Sequence, residues 1–137
     1  MARRKKKTDC VRMAYKYRAY PDENQQILFQ KTFGCCRKMY NLMLADKIEY
    51  YHQMKKMLKV TPAQYKDMYP FLREVDSLAL ANVQMNLESA YERFFDKVSK
   101  FPKFKSKKTA RKSYTTNLVN GNIVLNEHRS DFPVIRI

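Results

Sequence analysis

Apolar residues return at three- and four-residue spacing over two long stretches, and this repeat limits the fold more than any other feature. Tyr40, Met43, Leu44, Ile48, Tyr51 and Leu58 form one stripe; Leu80, Val83, Leu87, Tyr91, Phe94 and Val98 form the other. That spacing puts apolar side chains on one face of an α-helix. Two amphipathic helices are therefore expected, packed on each other as an antiparallel bundle. Lys47, Lys55, Lys56 and Lys59 fall mostly off the first stripe.

The helix boundaries have local signals. Asp22 is placed to accept from the first free backbone N–H groups, with Glu23 in the first turn and Ile27, Leu28, Lys31 and Phe33 following at helical spacing. Gly34 predicts a break or kink. Thr61-Pro62-Ala63-Gln64 has the form of a capping box, which predicts a short helix that stops before Pro70. Asp76 or Ser77 is expected to cap the helix that carries the second stripe.

Both ends of the chain read differently. Val11, Met13, Tyr15 and Tyr17 alternate with Arg12, Ala14, Lys16 and Arg18, the period-two pattern of a half-buried strand, which Pro21 ends. Tyr114, Thr116 and Leu118, then Asn120-Gly121, then Ile123 and Leu125 predict a hairpin on a tight turn, and Val134 to Ile137 predicts another strand. The expected class is α+β, with the first strand pairing with the carboxy-terminal strands around a helical insertion. A chain of 137 residues suits one such compact body.

Charge points to the partner. There are 28 basic against 13 acidic residues, a formal net charge of +15, and a polyanion is the natural source of counter-charge. A membrane surface is the rival, but no apolar run approaches the roughly 18 to 20 residues needed to span, and no signal sequence opens the chain. The three cysteines, Cys10, Cys35 and Cys36, are odd in number and include an adjacent pair, so no disulfide framework is implied and a reducing compartment is expected. His52 and His128 do not complete a zinc-ligand spacing with them. Most acids sit at expected caps or beside lysines on helix faces, and no glycine-rich phosphate loop or serine elbow is present, so no catalytic or metal centre is expected.

The basic residues gather in two groups. Arg3, Arg4, Lys5, Lys6, Lys7, Arg12, Lys16 and Arg18 make the first, opening with an arm that has nothing to bury. Lys97, Lys100, Lys103, Lys105, Lys107, Lys108, Arg111 and Lys112 make the second. Pairing of the terminal strands would join them into one phosphate-binding surface. Phe101, Phe104 and Tyr114 lie among the second group, where they either stack on bases or anchor the lysines to the core.

Four segments in order carry a resemblance. Tyr15-Lys16-Tyr17-Arg18-Ala19-Tyr20-Pro21 is similar to the opening strand of TnpB proteins, the transposon-encoded ancestors of type V CRISPR effectors. Phe33-Gly34-Cys35-Cys36-Arg37-Lys38-Met39-Tyr40-Asn41 resembles their basic, then Tyr-Asn helix signature. Glu74-Val75-Asp76-Ser77-Leu78-Ala79-Leu80, with Asn86-Leu87 and Phe94-Phe95, resembles the next. Phe101-Pro102-Lys103-Phe104-Lys105-Ser106-Lys107-Lys108, then Ser113-Tyr114-Thr115-Thr116, completes the series.

The resemblance implies an antiparallel, OB-like wedge β-barrel, here partial, interrupted by a helical recognition lobe. Its divisions would be a basic arm at 1–9, a first wedge strand at 10–21, the lobe at 22–100 and the remaining wedge strands at 101–137. It implies a module that holds a guide-RNA scaffold and reads a short motif flanking double-stranded target DNA, in a prokaryotic cytoplasm. Ser77, Leu78, Ala81, Val119 and Asn120 would read that motif. Arg37 and Lys38 would join the two basic groups on RNA or DNA backbone, with Phe104 and Tyr114 as stacking candidates. The family's further wedge strands, RuvC nuclease and zinc finger are not matched, so Mg²⁺, Zn²⁺ and cleavage would belong to a carboxy-terminal part supplied in cis or in trans. A fragment, a truncated product and a split subunit are the three corresponding expectations. A standalone basic DNA- or RNA-binding protein, such as a repressor or RNA chaperone, is the alternative reading.

Overall fold

The computed structural model describes residues 10–126 and 134–136. Four helical segments come first: α1 (Glu23–Met54), α2 (Ala63–Met68), a 3₁₀ turn (Pro70–Glu74) and α3 (Ser77–Phe95). Two short strands follow, β1 (Val124–Asn126) and β2 (Val134–Arg136), paired antiparallel with Leu125 opposite Ile135.

α1 starts where the sequence predicts. Asp22 and Gln25 exchange hydrogen bonds, each side chain accepting from the other's backbone N–H at 2.9 Å, so two N–H groups that lack helical partners are satisfied. The helix then runs through Gly34 without a break. A glycine inside a helix costs about 1 kcal/mol relative to alanine, and burial of Thr32, Cys35 and Cys36 on either side outweighs it. The end comes at Met54, where Lys55 turns left-handed at φ 55° and its N–H reaches the Tyr51 carbonyl. Leu58 of the expected stripe thus lies beyond the helix, yet it still packs on the core.

α2 stops before Pro70 as expected, but its capping box is not formed. The cap position falls on Pro62 and has no side-chain hydrogen bond; Gln64 N–H reaches only the Thr61 carbonyl, at 3.3 Å. Asp76 does cap α3, accepting from Leu78 N–H at 3.0 Å.

The two stripes meet, although not antiparallel. Cys36 on α1 lies in the field of Asp76 at the start of α3, while Lys47 reaches the Tyr91 ring near its end at 5.7 Å, so the helices run in the same direction. The connector from Lys55 to Asp76 makes this possible. It carries α2 and the 3₁₀ turn back along α1 as far as Lys31, whose amine pairs with Glu74 at 3.6 Å. Met39, Met43 and Leu44 from α1 interlock with Leu80 and Leu87 from α3, and Leu72 from the 3₁₀ turn closes the core. Val98 of the second stripe lies past the end of α3 and is 74% exposed.

The expected OB-like barrel is not formed. The described residues are mostly helical, and their only sheet is the two-stranded β1–β2 pair. Residues 10–21 form no helix and join no ladder, and Val11, Met13, Tyr15 and Tyr17 are all exposed. Alternation alone does not make a strand, because the backbone also needs an edge to pair with. The Asn120-Gly121 turn does exist, with φ of 50° and 71° and a bond from Asn122 N–H to the Val119 carbonyl. Its expected upstream strand does not pair, and β1 takes β2 as partner instead.

Candidate nucleic-acid interface

The segment after α3 doubles back along both long helices, and three attachments fix its course. Phe101 meets the rings of Tyr91 and Phe94 edge-on, at 5.6 and 5.2 Å, with Pro102 buried beside it. The Asn41 amide then clamps Lys105, donating to its carbonyl and accepting from its N–H, both at 2.8 Å. Farther on, Tyr114 packs against Phe29 and Phe33, and the Thr116 hydroxyl donates to Asp76.

Between these attachments the chain presents cations to solvent. Lys103, Lys105, Lys107, Lys108, Arg111 and Lys112 are exposed. The ion pairs found among the described residues, Lys31 with Glu74 and Arg73 with Asp67, involve none of them. The Lys105 amine sits 4.3 Å from the centre of the Tyr40 ring, and Lys38 stands 4.9 Å from that of Tyr69. Arg37, partly buried, completes the α1 contribution.

A groove of about 230 Å³ opens where the segment crosses the helices. Phe33, Cys36, Arg37 and Tyr40 line it from α1; Ala79, Asn82, Val83 and Asn86 from α3; Lys105 and residues Ala110 to Thr115 from the segment. Four of these residues are cationic and none is acidic. Burial, with the adjacent Cys35 adding to it, pushes the Cys36 thiol up to about 11, so Cys36 is a neutral wall and not a nucleophile.

The structure therefore brings Arg37, Lys105, Arg111, Lys112 and Tyr114 together. Burial raises the Tyr114 phenol pKa, with Asp76 and Cys36 adding to it, and its ring is committed to Phe29 and Phe33. Phe104, by contrast, is 57% exposed, and Phe101 is the aromatic that anchors. Ser77 and Leu78 open α3, with Ala81 one turn on; the Thr116–Asp76 bond ties the chain just before Val119 and Asn120 to that helix end. Lys16 and Arg18 are exposed on the segment before α1, and no strand pairing among the described residues links it to the second basic group. Arg3, Arg4, Lys5, Lys6, Lys7 and His128 lie outside the described residues. Among the described residues, no three His, Cys, Asp or Glu side chains are placed to hold a metal ion, and no helix is long and apolar enough to cross a membrane.

Sequence reasoning passed over Asn41, Asn82 and Asn86 as functional residues. The signal for the last two was available: asparagines four apart on a helix share one face, and these fall off the apolar stripe.

Residues 11–56 match the helix-turn-helix domain family HTH_OrfB_IS605. In this chain the matched span holds the segment before α1 and the whole of α1, one continuous helix with no turn inside it. The chain is also 34% identical over 127 residues to a protein of Streptomyces pristinaespiralis named "Putative RNA-guided DNA endonuclease". That alignment covers 84% of this chain and 32% of the relative, so the chain spans about a third of the relative's length.

Proposed function

We propose that this chain is the amino-terminal, nucleic-acid-gripping part of a TnpB-like RNA-guided DNA endonuclease. In this reading it holds the scaffold of a guide RNA and reads a short motif flanking the target, while sequence is read by pairing of the guide with DNA. The observation that carries the reading is the segment Lys103–Lys112, whose cations have no carboxylate partner among the described residues and which is held to α1 by the Asn41 clamp and to α3 by Phe101 and Thr116 on either side. Such a surface suits a phosphate backbone. The similarity to a protein named as an RNA-guided DNA endonuclease supports the choice of partner. In this reading residues 22–100 act as a helical lobe, with basic segments on either side of it. Cleavage, and any metal it uses, is assigned to the remainder of the assembly.

Within this reading Ser77, Leu78 and Ala81 at the start of α3, with Val119 and Asn120, face the flanking motif. A helix amino terminus accommodates phosphate, and small or apolar side chains beside it pack on thymine methyl groups. Asn120 also serves the turn, at φ 50°. The test is selection from a library with randomised flanking sequence, using the chain assembled with its guide RNA and nuclease part. Ser77→Lys or Ala81→Gln should change the selected motif and leave RNA binding intact. A fixed motif accompanied by lost RNA binding would place these residues on the RNA surface or in the core.

A further inference from the structure

The groove between α1, α3 and the returning segment differs from the open lysine surface around it. It is concave and far too small for a duplex, at about 230 Å³. Arg37, Arg111 and Lys112 are among its lining residues, and Phe33, whose ring also packs on Phe29 and Tyr114, is an apolar part of the lining. Asn82 and Asn86 project into it from one face of α3. Asn82 uses its N–H to bond the Leu78 carbonyl at 2.9 Å, which leaves its own carbonyl oxygen to accept. Asn86 is exposed and makes no hydrogen bond to another described residue.

Phosphate binding alone has no use for an apolar wall or for an amide acceptor. An unstacked nucleotide uses all three features: cations for its phosphate, an apolar face for its ring, and amide groups for the base edge. We infer that this groove is a subsite for a single unpaired nucleotide of a bound strand, with Asn86 and Asn82 addressing its base and Arg37, Arg111 and Lys112 its phosphate. The inference rests on the nucleic-acid-binding reading above and deepens it. RNA and DNA share the chemistry, and the RNA and DNA arms of the test tell which strand supplies the nucleotide.

The experiment measures binding of the full chain to labelled homo-oligomers of each base, as single-stranded RNA and as single-stranded DNA, and to one duplex. Asn86→Ala should weaken binding of the preferred base roughly five- to tenfold, reduce the differences among bases, and leave duplex binding and the salt dependence unchanged. Asn86→Asp, which keeps the shape but brings negative charge beside the phosphate, should weaken it further. The exposed, unbonded Asn86 makes both variants compatible with the parental unfolding transition. If both bind every single strand as the parent does, the subsite is overturned while the wider reading stands. If the parent binds none of the probes, both are overturned.

Discussion

At the scale of residues, burial governs the titration of the core more than charge pairing does. Desolvation raises the pKa of Tyr65, whose hydroxyl also donates to Asp46 at 2.6 Å, and it raises those of Tyr40 and Tyr91 as well. Cys35 and Cys36 are raised for the same first reason. Lys47 moves the other way: burial lowers its pKa, while Glu88 partly restores it and the amine donates to the Leu58 carbonyl at 2.6 Å. The signs then follow from linkage. As pH climbs through the ordinary thiol and phenol ranges, about 8.5 and about 10, the unfolded chain loses protons that the folded chain retains, so stability falls. Lys47 has the opposite slope just below the ordinary lysine range, but several acids oppose that single base. The urea midpoint of the reduced protein should therefore be lower at pH 10 than at pH 8. A midpoint unchanged or higher at pH 10 would show that these groups are not buried as described.

At the scale of elements, α1 holds the rest of the chain in place. One face buries Met39, Met43 and Leu44 against α3, and Asn41, off that stripe, clamps the lysine segment. Gly34 is the weak position in this helix. A Cβ built there meets only the Arg37 guanidinium, at 4.0 Å, which is ordinary contact distance, and its φ is helical. Gly34→Ala should accordingly stabilise the protein by about 0.5–1 kcal/mol, seen as a higher denaturation midpoint with an unchanged urea dependence. A loss of stability would mean that backbone freedom or close approach is needed at that turn. The caps and stripes of α1 and α3 were readable because they depend on neighbours within one or two turns: Asp22, Asp76, Leu80 and Leu87 all serve as their spacing predicts. The direction of packing was not, because it depends on how the connector folds between Lys55 and Asp76, and no local periodicity encodes that.

At the scale of the whole molecule, the same division separates what sequence told from what it left open. The basic group at 97–112 was evident from composition, and Lys103, Lys107 and Lys108 are exposed as expected. The groove was not evident, since it joins Arg37, Asn86 and Lys112 from three separate parts of the chain. The barrel that the resemblance implies does not form, because the period-two alternation at Val11–Arg18 supplies only a pattern, and pairing needs a partner edge that the described residues do not provide. The central claim is that the segment across α1 and α3 grips a phosphate backbone, and the salt dependence of nucleic-acid affinity tests it most directly. Each duplex phosphate neutralised contributes about −0.9 to the slope of log affinity against log salt, so replacing Lys103, Lys105, Lys107 and Lys108 together with alanine should flatten that slope by up to about 3.6. A parental slope in the quadruple variant would contradict the account, because those lysines would then be a solvated face that nucleic acid does not touch.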